Sequence, residues 1–193
     1  MAVFGRLYDV TLRWSRHPRA PWYLAGLSFA ESSFFPVPPD VMLMPMSLAR
    51  PKRAWRFAAL TTLASVTGGL AGYAIGYFAL DLVQPLIGEG GRWAEAYGRA
   101  SAWFRDWGFW AVLVAGFSPI PYKVFTISAG ALGMPLLPFV LASAVGRGGR
   151  FFLVAGLLAW GGERMERRIR RHVETLGWLL VAAVAVAWLL LRN

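Results

Sequence analysis

Two long apolar stretches of this chain, 22–49 and 107–135, are each broken near the middle by prolines. In WYLAGLSFAESSFFPVPPDVMLMPMSLA they are Pro36, Pro38 and Pro39; in WGFWAVLVAGFSPIPYKVFTISAGALGMP they are Pro119 and Pro121. Proline lacks the amide donor and its ring clashes with the preceding turn, so neither stretch forms one straight helix. The halves are about 10–14 residues long, short of the ~20 needed to span a bilayer. Each stretch therefore predicts a re-entrant helical hairpin, in and back out on the same side. Irregular backbone at membrane depth is tolerated only where protein or water covers it, so such turns line cavities.

The rest of the chain supports a membrane setting. Hydrophobic residues make up 57% and charged residues only 16%, against roughly 25% charged in an average globular chain. A soluble core of this size would not hide 10 Trp and 13 Phe. Three apolar runs read as spanning helices: 57–80, 136–161 and 175–191. The first covers about 36 Å at ~1.5 Å per residue, enough for a hydrocarbon core of about 30 Å. The last carries no charge and uses Trp178 and Trp188 as interface anchors. The first twenty residues read as an amphipathic interfacial helix rather than a signal peptide, with Phe4, Leu7, Tyr8 and Leu12 on one face.

The same residues exclude several functions. There are no cysteines, and the two histidines, His17 and His172, lie in basic flanks. Thiolate chemistry, a His/Cys metal site and a Ser/His/Asp arrangement are therefore not expected, and neither is an enzyme or a cofactor. Net charge is +10, but the basic residues cluster in short runs between apolar segments. That pattern suits an anionic cytoplasmic leaflet and not a nucleic-acid face.

The two broken stretches resemble each other. PVPPDV (36–41) aligns without a gap on PIPYKV (119–124); further on, Phe57 falls near Phe139, and Gly68-Gly69 near Gly148-Gly149. The expected architecture is an all-α membrane domain of two repeats, each a re-entrant hairpin followed by a spanning helix (21–83 and 107–162). An extracytoplasmic connection occupies 84–106, a basic cytoplasmic linker 163–174, and a terminal spanning helix 175–193. With the N-terminus inside, thirteen Lys and Arg fall in inside flanks and three in the outside segment, as the positive-inside rule requires. The hairpins then enter from opposite faces. Such an inverted-topology repeat is typical of secondary transporters, which bind near the midplane. Oligomeric state is left open, a homo-oligomer included.

An ionisable residue at membrane depth costs on the order of 3 kcal/mol and needs a partner or a wet cavity. Five stand out: Glu31 in the first arm of hairpin one, Asp40 just after its turn, Lys123 at the equivalent place in hairpin two, and Arg147 and Arg150 in the last stretch of repeat two. On a functional reading, Lys123, Arg147 and Arg150 hold an anionic headgroup such as a phosphate. Glu31 and Asp40 then take up protons or monovalent cations, because burial favours the neutral form of a carboxylate. On a structural reading, the arginines only pair with Glu31 and Asp40, Lys123 snorkels, and Asp40 caps a helix. Gly146, Gly148 and Gly149 would admit a hairpin or a lipid close to the backbone.

Glu31, the Pro-x-Pro-acid turn, the second turn Gly116-Phe-Ser-Pro-Ile-Pro-Tyr-Lys123 and the later SAVGRGGRFF together resemble the DedA family of membrane proteins. These are also called SNARE-associated or VTT-domain proteins, and the resemblance is to their YqaA-type branch. It covers roughly 20–162. It implies two re-entrant hairpins in an inverted repeat. It also implies a lipid translocase or scramblase of the bacterial cytoplasmic membrane, acting on undecaprenyl phosphate or phospholipids and dependent on protons or cations. By motif position, the family's acidic residues match Glu31 and Asp40, and its basic ones match Lys123 less directly. The commoner family pattern places two arginines around the second turn, where this chain has Ser118 and Lys123. Two other readings stay open: a proton-coupled cation or small-solute transporter, and a non-transporting membrane scaffold.

Overall fold

The structure, a computed structural model, describes residues 17–87, 94–118 and 121–161. Most of the expected N-terminal amphipathic helix, the basic linker, the terminal spanning helix and the turn residue Pro119 lie outside the described residues. Those described are helical, with no strand among them. Helix α1 is Ala20–Ser33, α2 Asp40–Ala49, α3 Ala54–Ile87, α4 Ala94–Phe117, α5 Tyr122–Ala131 and α6 Leu136–Gly161, with a short 3-10 turn at Pro51–Arg53.

Proline sets most of these boundaries. Pro21 starts α1, where a missing amide costs nothing. The helix stops before Pro36, and the amides of Phe34 and Phe35 both fall back on the Ala30 carbonyl. Helix α2 starts directly after Pro39 and α5 directly after Pro121. The end of α5 is a glycine stop. Gly133 sits at φ 67°, the Met134 amide donates to Ala129 O and the Gly133 amide to Gly130 O. Only glycine takes that left-handed position without steric cost, so the chain turns there and restarts as α6 after Pro135.

Both apolar stretches are broken where the prolines demand, but the arms are unequal. Helix α4 is 24 residues long and begins at Ala94, inside the segment expected to be an extracytoplasmic connection. At about 36 Å it is no half-length arm. From Tyr97 to Phe117 nothing stops a helix, and Arg99, Arg105 and Asp106 are simply carried on its exposed side. Helix α3 likewise runs past 80 to Ile87.

The packing follows a repeated plan. Along α1 and α3, Ser28 Oγ donates to Thr61 O (2.8 Å), Ser32 Oγ meets Ser65 Oγ (2.7 Å) and Ser33 Oγ donates to Gly68 O (2.8 Å). Partners advance together, so the helices run in the same sense. At Gly68 a side chain would collide with the Phe29 carbonyl. Helices α4 and α6 do the same: Gly146 lies against the Leu113 carbonyl, and Gly149 against Phe117. The crossings thus equate Gly68 with Gly146 rather than with Gly148, a register two residues from the one the sequence suggests. Gly146 admits α4, whereas Gly148 faces Thr62 of α3.

Helices α3 and α6 run in opposite senses. Trp55 stacks on Phe152 and touches Gly156, Ser65 meets Arg147, and Tyr73 packs on Phe139 and donates to Met134 O. One core holds Leu24 of α1, Leu43 and Met46 of α2, Phe57 of α3 and Phe151 of α6. The other holds Val112 of α4, Tyr122 of α5, Phe139 of α6, and Tyr73 of α3 packed against it. Each long helix starts in one core and finishes in the other.

Pro51–Leu80 and α6 are long and apolar enough to cross a membrane, yet only 28% and 39% of their apolar windows are buried. A core helix of a soluble protein would be mostly covered. Here Leu63, Phe78, Leu137, Val145 and Trp160 point outward, a surface suited to lipid.

Candidate functional site

The two proline breaks close on one cavity of about 190 Å³. Pro36, Pro38, Pro39 and Pro121 form its walls, and Glu31, Asp40, Lys123, Arg147 and Arg150 all border it. The five ionisable residues that the apolar sequence made conspicuous therefore meet in one place. Four helices bring them there. The last turn of α1 carries Glu31; the first turns of α2 and α5 carry Asp40 and Lys123; the middle of α6 carries both arginines. The start of α5 is tied to the end of α1, because Thr126 Oγ1 donates to Ser32 O at 3.2 Å.

The two arginines of α6 pair with the acids of α1 and α2. Arg147 Nη2 forms a short charge-assisted contact to Glu31 Oε2. Its Nε donates to Ser65 Oγ at 2.6 Å, and Nη2 also reaches Ser32 Oγ at 3.4 Å. The guanidinium lies over two rings, 5.0 Å from the Tyr122 centroid and 4.6 Å from that of Phe151, a favourable placement for a desolvated cation. Tyr122 is itself fixed by a hydrogen bond to Ser143. Arg147 is 1% exposed.

Arg150 is held differently. Nη2 donates to Asp40 Oδ2 at 2.6 Å and Nη1 to the Ser118 carbonyl at 2.8 Å. One side chain thereby clips the first break to the second. Asp40 keeps an unspent acceptor: its Oδ1 is buried and has no hydrogen-bond partner among the described residues. Lys123 donates from Nζ to Phe34 O at 3.3 Å, and no carboxylate of the described residues pairs with it. With both pairs formed, three cations face two carboxylates, which leaves the cavity one positive charge in excess.

The sequence pointed to the five charges but not to their supports. Ser32, Ser65, Tyr122 and Phe151, which fix Arg147, looked like ordinary members of apolar helices. The polar signal was present in Ser32-Ser33 directly after Glu31 and in Ser65 within an apolar run. What no local pattern supplied was contact between residues 82 to 116 positions apart. No group of His, Cys, Asp and Glu able to hold a metal occurs among the described residues.

The model of the VTT domain matches residues 37–160. A Haemophilus influenzae protein described as uncharacterized is 48% identical over the full length of both chains. A Histophilus somni protein of similar description is 46% identical, again with complete coverage. Undecaprenyl phosphate transporter A of Staphylococcus aureus is 27% identical over 119 residues, covering 57% of this chain and 58% of that protein. No significant match was found among solved structures.

Proposed function

The chain belongs to the VTT-domain (DedA) family, and from that premise we propose that it moves an anionic lipid between the leaflets of the cytoplasmic membrane. The lipid is an isoprenoid phosphate or a phospholipid. The observation that carries this reading is the meeting of both breaks on a single cavity with a surplus positive charge. Lys123 and Arg150 hold the headgroup phosphate. Arg150 supplies planar donors and Lys123 a compact point charge.

The headgroup takes the place of Asp40 on Arg150. A carboxylate left without its partner in a poorly solvated site is costly, so Asp40 takes up a proton or a monovalent cation as the lipid arrives. Transport and cation uptake are thereby coupled. The opposed α3 and α6, each running from one core to the other, support an inverted repeat in which the halves rock about the site. The turn Pro51–Arg53 is exposed and basic, which favours a cytoplasmic position for that end. The Staphylococcus aureus relative, named for transport of undecaprenyl phosphate, supports the substrate class.

Titrating the purified protein with a short-chain isoprenyl phosphate tests the headgroup assignment. Wild type should bind it. Lys123→Ala and Arg150→Ala should each weaken binding by roughly tenfold or more, as the loss of a charge-assisted hydrogen bond implies. Equal affinity in all three proteins would remove the phosphate site.

A further inference from the structure

We infer that the two ion pairs have different jobs: Glu31–Arg147 is a permanent pin that positions the site, and Asp40–Arg150 is the pair that opens. The sequence sets the four residues side by side as two acids and two bases of one kind. The structure separates them by environment.

A pair that opens needs a cation the ligand can reach and a carboxylate with capacity to spare. Arg150 and Asp40 meet both conditions. Their side chains are 20% and 15% exposed, both border the cavity, and Asp40 Oδ1 has no hydrogen-bond partner among the described residues. If the pair opens, Arg150 keeps its hold on the Ser118 carbonyl, so the guanidinium stays in place to receive an anion.

Arg147 fails the first condition. Its side chain is 2% exposed, the guanidinium packs near the rings of Tyr122 and Phe151, and Nε and Nη2 are engaged by Ser65, Ser32 and Glu31. Releasing it would strip hydrogen bonds from Ser65, Ser32 and Glu31 at once and leave a gap beside the two rings. Arg147 also joins α1, α3 and α6 where α3 and α6 cross, a fixed point about which two halves can turn. Arg147 is accordingly a positioning residue, and Glu31 is the carboxylate it holds. The charged groups facing Asp40 are Arg150 and Arg147 of α6, Lys123 of α5 and Glu31 of α1. Those facing Glu31 are Arg147 in direct contact, then Asp40 and Lys123 across the cavity.

The inference rests on the transport reading for its purpose but not for its test. Infrared difference spectra between acidic and neutral pH, on protein in lipid nanodiscs, report the carbonyl stretch of a buried carboxyl that takes up a proton. We expect that band in wild type, its loss in Asp40→Asn, and its survival in the double variant Glu31→Gln/Arg147→Met, which replaces the pin by uncharged groups of similar size. A band that survives Asp40→Asn and disappears in the double variant would overturn the inference. Should the double variant not fold, isotope labelling of the wild type decides. Carboxyl ¹³C in aspartate should shift the band, and a shift with labelled glutamate would overturn the assignment. If the spectra assign the band to Asp40 but no lipid moves in vesicles, the pin stands and the transport reading falls.

Discussion

Arg147 and Lys123 mark the extremes of what a cation does in this cavity, and their substitution should have opposite signatures. Arg147→Ala leaves the part-buried Glu31 without its ion-pair partner, a loss that costs up to about 3–5 kcal/mol for a fully buried pair. A large fall in Tm is expected, and the double variant Glu31→Gln/Arg147→Met should restore most of it, since removing both charges removes the penalty. A double variant as unstable as Arg147→Ala would show that packing, not charge, is what Arg147 provides. Lys123 makes one neutral hydrogen bond, at 3.3 Å. Its replacement by Ala should leave Tm nearly unchanged while phosphate binding falls. All five charges were legible in the sequence because ionisable residues inside apolar runs are conspicuous. Their pairing was not. Acid and base come together from positions 110 and 116 apart, and only the tertiary fold selects which goes with which.

At the scale of elements, proline did most of the specifying and glycine most of the fitting. Pro36, Pro38, Pro39 and Pro121 placed the breaks correctly, since their effect is local and needs no tertiary context. The length of α4 escaped the same reasoning. A run such as SAWFRDW reads as polar connection when judged by charge, yet it continues a helix whose charged side is simply exposed. Close crossings were half legible. The glycines of α6 signalled an approach, but the sequence could not say that Gly146 takes α4 while Gly148 and Gly149 meet side chains. The tightest crossing joins α3 to α5, where Gly76 lies against the Ile127 carbonyl and Gly130 against that of Tyr73. Gly76→Ala must push backbones apart and should destabilise by roughly 1–3 kcal/mol. Gly98, also in a helix, has open space where a Cβ would stand, so Gly98→Ala should stabilise by up to ~1 kcal/mol. Tm of the two variants checks the contrast. A neutral Gly76→Ala would mean that the α3–α5 contact is looser than described.

The molecule as a whole has two cores joined by two opposed helices, with a charged cavity between the proline breaks. The two long helices α3 and α6 run in opposite senses, and each receives a neighbour at a close glycine crossing, α1 at Gly68 and α4 at Gly146. On the proposed function the surplus positive charge draws an anion to the cavity, and the exposed apolar flanks of α3 and α6 suit a lipid setting. What remains is motion of a real lipid through it. The direct test is flipping in proteoliposomes, with labelled undecaprenyl phosphate and a labelled phospholipid, comparing wild type with Asp40→Asn under a pH gradient. The account predicts that wild type moves at least one of the two, that the gradient accelerates it, and that Asp40→Asn loses that acceleration. Wild-type protein that moves neither lipid, with or without the gradient, would contradict it.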